Sequence, residues 1–195
     1  MVARVSFFGM IILTLFMGLQ ASTKNDDADD DDSPIYTRYV AEITSAFIKE
    51  MHKKYGLYCG ASGGSMPYDV EEITVQLVAY RSATIEQARE LEVKATERFV
   101  QIINAHEKIR PFLREYPFPA SRARITLSFE KKGDLFFADS EVEFVCHAKN
   151  KLHYLAYDPD HPYVGKLIKE EPYEEALKIV QSNAAKNDSQ KSKAI

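Results

Sequence analysis

The sequence predicts an α+β fold: a small, mostly antiparallel sheet of about four strands, covered by one long amphipathic helix. Three observations predict it. Residues 84–110 place apolar side chains at steps of three and four, the spacing of one helical face. Four other segments alternate apolar and polar residues with a period of two. Proline, glycine and asparagine punctuate the joins between them. The element order read this way is α-β-α-β-β-β-α, with the helices gathered on one face of the sheet.

Each element follows from its residues. Ser33-Pro34 opens a first helix that runs to about Lys54, with Tyr36, Val40, Ile43, Phe47 and Met51 as its stripe and Gly56 as its end. Residues 56–69, GLYCGASGGSMPYD, read as a flexible Gly/Ser loop. Residues 71–81 form a strand in which Ile73, Val75, Leu77 and Ala79 alternate with Thr74, Gln76, Val78 and Tyr80. The long helix follows, with Ile85, Ala88, Leu91, Ala95, Phe99, Ile102, Ile103 and Ile109 as its stripe. Thr84 and Gln87 fit a capping box at its start, and Glu90 and Lys94 form an i,i+4 pair on its surface. Pro111 lacks an amide proton and clashes with the preceding turn, so the helix is expected to end near Arg110. Residues 122–130 are the cleanest strand, and KKGD with Gly133 forms its turn. Residues 141–148 alternate again, Lys149-Asn150-Lys151 is a hairpin turn, and residues 152–157 complete the set. A last helix starts at Pro172 and carries Tyr173, Ala176, Leu177 and Val180.

The ends have their own character. Residues 1–21 combine Arg4, an apolar run over residues 5–19 and small residues at Gly18 and Ala21. The run is shorter than the ~20 residues that span a bilayer, and the layout is that of a signal peptide. An uncleaved signal segment would be the chain's one membrane attachment. Residues 22–34 hold six aspartates in seven consecutive positions, an acidic linker with nothing apolar to bury. One α+β domain is expected over residues 35–182, and an unstructured polar tail over 183–195. The expected address is exported: periplasmic, envelope-associated or secreted.

Charge narrows the function. The chain has 25 basic and 29 acidic residues; without residues 1–32, which hold Arg4, Lys24 and six aspartates, 23 of each remain. A neutral domain lacks the clustered cations that replace counterions on nucleic acid. No motif calls for a cofactor. Cys59 and Cys146 are the only cysteines. In an exported protein an even count permits a disulfide between them, and two free thiols are the alternative. His147 follows Cys146 but points to the opposite face of a strand.

Two local patterns could carry chemistry. Gly60-Ala61-Ser62-Gly63-Gly64 satisfies G-x-S-x-G, the nucleophile elbow of serine hydrolases. The elbow needs a strand before the serine and a helix after it, and here the order is inverted. Bases (His106, His147, His153, His161) and acids (Asp134, Asp139, Asp158, Asp160) are present, without any spacing that joins them. The second pattern, Asp158-Pro159-Asp160-His161-Pro162, offers two carboxylates and an imidazole to a divalent ion, and is also ordinary turn chemistry. Tyr154, Tyr157 and Tyr163, with Phe136 and Phe137, suit either an interaction platform or packing under the last helix.

The run Ile109-Arg110-Pro111-Phe112-Leu113 with Tyr116-Pro117-Phe118, after a long helix and before a strand, resembles a set of short exported bacterial proteins of uncharacterised function. The resemblance implies export and a small domain, and it supplies no catalytic residues. The expected function is that of a non-enzymatic binding or interaction protein with a protein or small ligand as partner. A serine hydrolase using Ser62, or a metal-binding protein at Asp158, Asp160 and His161, are the alternatives.

Overall fold

The computed structural model describes residues 33–133, 140–161 and 165–193. Their elements, in chain order, are α1 (Ile35–Tyr55), β1 (Tyr58–Ser65), β2 (Glu72–Ala79), α2 (Ile85–Ala105), β3 (Ala123–Phe129), β4 (Phe144–Ala148), β5 (Lys151–Ala156), β6 (Lys166–Pro172) and α3 (Tyr173–Lys193). The strands form one sheet in sequence order, β1 to β6. Neighbours are antiparallel except β2 and β3, which run parallel and are joined by the α2 crossover.

The fold is α+β, but the sheet is mixed, has six strands rather than four, and the order differs from α-β-α-β-β-β-α. The two added strands are its edges. β1 is the segment expected as a Gly/Ser loop; it has three glycines and no β-branched residue, so its own propensity for strand is low. It is held by the ladder from β2, whose Ile73, Val75 and Val78 favour extended backbone. β6 reads KLIKEEP, with its two large apolar residues adjacent rather than alternating. α3 begins at Tyr173, directly after Pro172, and stays helical to Lys193, past the point where the sequence predicts an unstructured tail. The signal segment, the linker up to residue 32, Asp134, Phe136, Phe137, Asp139, Pro162 and Tyr163 lie outside the described residues.

The helices share one face of the sheet. Ile73, Val75, Leu77 and Ala79 of β2, Ile125, Leu127 and Phe129 of β3, Val145 of β4 and Leu152 of β5 all point into one core with Phe47 and Met51 of α1 and Phe99 and Ile103 of α2. Phe47 and Phe99 meet with ring centroids 4.4 Å apart. On β4 the side chains of Val145 and His147 are the buried ones, so Phe144, Cys146 and Ala148 lie on the uncovered face.

The helix ends are specified locally. Gly56 adopts φ +68° and its amide donates to the His52 carbonyl at 2.9 Å, closing α1. The Thr84–Gln87 capping box is formed. Two further orphan amides of that terminus donate to distant side chains, Ala83 to Ser140 Oγ at 3.0 Å and Ile85 to Glu141 Oε2 at 3.2 Å. α2 ends at Ala105, earlier than expected, because Asn104 is drawn into the elbow that follows. Its side chain accepts from the Phe118 amide at 2.7 Å and donates to the Phe118 carbonyl at 3.0 Å. Residues Glu107–Phe112 then form a 3₁₀ turn that contains Pro111, and the Tyr116–Pro117 peptide is cis. Among the described residues no helix is long and apolar enough to cross a membrane.

Candidate functional site

Ser62 lies in the middle of β1, paired with Val75, and β1 leads into β2 rather than into a helix. The strand–turn–helix that presents a nucleophile is therefore not built. β1 stands three strand spacings from β4 and its His147, about 14 Å at ~4.8 Å per strand. Cys59 pairs with Leu77 on the helix side of β1, whereas Cys146 pairs with Thr126 and His153 on the open side of β4. Opposite faces and that same separation exceed the ~7 Å Cα limit of a disulfide. Both cysteines are free, so the bridge the sequence permits is not formed. Asp158 caps its own turn: its Oδ1 accepts from the Asp160 amide at 3.0 Å and its carbonyl accepts from the His161 amide at 3.1 Å. Among the described residues no group of three or more His, Cys, Asp or Glu side chains is gathered to hold a metal. Tyr154 is wholly buried on the helix side, so it is not part of an exposed platform.

Three places remain. A cleft of about 310 Å³ opens between the end of α1 and the start of α2, floored by Ala83, Leu91 and Phe129. Its cations are committed, Arg81 to the Tyr55 carbonyl at 3.0 Å and Lys94 to Glu90.

The second place is a polar seam inside the fold. Arg89, Glu92 and Thr96 recur at helical spacing on α2 and are buried beside the apolar stripe. Arg89 grips Glu171 of β6 through two bonds of 2.6 and 3.1 Å. Tyr154 of β5 donates to the same carboxylate at 2.5 Å, and Lys169 lies 3.3 Å from it. Burial opposes the Glu171 charge, but the bonds from Arg89 and Tyr154 outweigh it and hold the carboxyl below its usual range. Tyr173 of α3 stacks on His147 of β4 at 4.2 Å and donates to Glu97 at 2.9 Å. Glu92 is different: it is fully buried, and neither oxygen has a hydrogen bond of normal geometry. Burial pushes its carboxyl well above the usual range, with the His147 backbone amide working against it. Burial likewise pushes His147 down to about 4, helped by Arg124 and His153. Burial in this seam thus pushes both the acid and the imidazole towards their neutral forms, under α3.

The third place is the uncovered side and free edge of the sheet. From Tyr58 to Gly64 every residue of β1 is exposed. On the open face, in-register neighbours form a row across the sheet: Ala61, Gln76, Thr126, Cys146, His153 and Glu170. The Cys146–His153 pairing differs by one residue from the expected hairpin, whose turn at Lys149-Asn150-Lys151 would set Cys146 opposite Tyr154. A two-residue turn at Lys149-Asn150, both with positive φ, sets Ala148 opposite Lys151 and so Cys146 opposite His153. The Glu170 partner was not reachable, because nothing in KLIKEEP marks it as a strand. No protein-family model matches the chain, no curated protein matches it, and no solved structure matches it.

Proposed function

We propose that this chain is an exported binding protein that captures an extended polypeptide segment as a seventh strand beside β1. The observation that carries the reading is the bare edge. β1, YCGASGGS, has no charge and no proline over eight residues. Among the described residues its outward backbone donors and acceptors face no neighbouring strand, since β1 pairs with β2 alone. Natural sheets protect such edges with lysine, proline or a cover. The opposite edge follows that rule, with Lys166, Lys169 and Pro172 on β6. β1 carries only a register shift between Cys59 and Ala61.

A row of alternating amides and carbonyls is complementary to another extended backbone, the basis of recognition by strand addition. An uncharged edge selects a segment of low charge. Tyr58 and Tyr80, with ring centroids 5.2 Å apart and both exposed, supply an aromatic contact at one end. The signal-like layout of residues 1–21 and the elbow resemblance to short exported proteins go with an extracytoplasmic partner.

The test is selection of extended peptides on the full chain, with amide chemical shifts mapping the site. Successive amides in a strand alternate between the β2 side and the free edge. Of Ser62→Pro and Gly63→Pro, one therefore removes only an outward donor. Bound peptide is expected to protect amides of residues 58–65, and the outward-proline variant to bind at least about tenfold more weakly while melting like the parent. Peptides that shift only helical amides, equal binding by both variants, or saturation of β1 by a second copy in sedimentation would each overturn the proposal.

A further inference from the structure

We infer that Cys146 is an acyl-acceptor thiol with His153 as its general base. The inference does not rest on strand capture at β1. Cys146 is paired with His153 across β4 and β5, and His153 with Glu170 across β5 and β6. All three lie on the face that no helix covers among the described residues. Directly opposed residues hold their Cβ atoms ~4.5–5.5 Å apart, so Cys146 and His153 are side-by-side neighbours on this face. Glu170 Oε2 lies 3.7 Å from His153 Nδ1, which leaves Nε2 for the thiol. Glu170 is shared with Lys151, whose Nζ is 2.5 Å from its other oxygen. This is the order nucleophile, base, orienting acid that activates a neutral nucleophile.

The base is needed. Burial holds the thiol above its usual range, with Arg124 pulling the other way. The sulfur therefore starts protonated. It attacks the carbonyl carbon of an ester or thioester while His153 takes the S–H proton. The bond from that carbon to the leaving oxygen or sulfur breaks, and His153 returns the proton to it. The products are a thioester on Cys146 and a free alcohol or thiol, with no oxidant or reductant involved.

The surroundings point to the substrate class. Thr126 is the next residue of the row on the side of Cys146 away from His153, and its hydroxyl is the neighbouring donor for the carbonyl oxygen. One flank carries Phe144, Leu155 and Leu167 in register, with Ser128 next to Phe144 on β3. That apolar row suits an aliphatic acyl chain.

The test uses the full chain carrying Cys59→Ser, treated with p-nitrophenyl octanoate or acetate and followed by nitrophenolate release and intact mass. One acyl group is expected on Cys146, formed faster from octanoate than from acetate. His153→Ala is expected to slow it about a hundredfold, with added imidazole restoring the rate. His153→Gln, which keeps the strand surface polar, is expected to be equally slow and to melt like the parent. Acylation undiminished in the histidine variants, no rescue by imidazole, or an equal thiol rate in the urea-unfolded chain would overturn the inference.

Discussion

Glu92 and His147 titrate in opposite senses within one buried seam, and the sign of each follows from burial. Glu92 keeps its proton in the folded state above the ordinary carboxyl value of 4.5, whereas the unfolded chain releases it. Its contribution to stability is complete below pH 4.5 and is lost as pH rises through the folded value. His147 stays neutral down to about 4, against 6.5 when exposed. Its contribution is complete above pH 6.5 and is lost as pH falls towards 4, amounting to about 3 kcal/mol. Glu92→Gln removes only the first of these. Urea unfolding from pH 4 to pH 8 is expected to show the variant gaining on the parent by about 1.4 kcal/mol for each pH unit between 4.5 and the folded value. A variant-minus-parent difference that is flat with pH would show that Glu92 ionises freely in the fold. No apolar pattern exposes this residue in the sequence: Glu92 sits beside Leu91, and only the strands that arrive from residues 144–172 decide that its side of the helix is inside.

At the scale of elements, local chemistry decides the starts and stops of the helices. The Thr84 hydroxyl accepts from the Gln87 amide at 3.3 Å, and the Gln87 side chain accepts from the Thr84 amide at 3.0 Å. Thr84→Ala is expected to cost about 1 kcal/mol in urea unfolding without changing the slope of the transition. An unchanged midpoint would mean that Ser140 and Glu141 alone satisfy the α2 terminus. This is also where the sequence is most legible. The stripes of α1 and α2, the strands β2 to β5 and the capping box are all present as periodicity or spacing, because each of those elements buries one face. β1 buries almost nothing, so no periodicity was there to read, and its glycines pointed to a loop. α2 ends at Ala105 rather than near Arg110 because Asn104 makes a tertiary bond to Phe118, fourteen residues on, which helical propensity does not contain. The candidate site divides the same way. The hairpin was legible, but the turn read as Lys149-Asn150-Lys151 is one residue too long and sets Cys146 opposite Tyr154 rather than His153, while Glu170 enters through an edge strand that the pattern hid.

For the whole molecule, the strand order leaves β6 far from the parallel β2–β3 centre, and the buried ion pair is what ties that edge to α2. Arg89 and Glu171 are 82 residues apart in sequence, with side chains 8% and 9% exposed. The pair crosses from the central helix to the last strand, and α3 starts two residues later. Its geometry is two parallel bonds with Tyr154 completing the carboxylate, so both charges are satisfied where water is excluded. Removing Glu171 strands the Arg89 charge in that interior, at a cost of about 3–5 kcal/mol, while removing Arg89 leaves Glu171 with Lys169 and Tyr154 alone. Replacing both with apolar residues of similar size removes the charges together and is expected to be close to neutral. Arg89→Met and Glu171→Leu are therefore expected to be strongly destabilising alone, and the double variant to recover most of the loss in urea unfolding. If the two single costs simply add, the pair is not coupled, and β6 with α3 is held to the domain by the apolar contacts of Tyr173, Ala176 and Val180 instead.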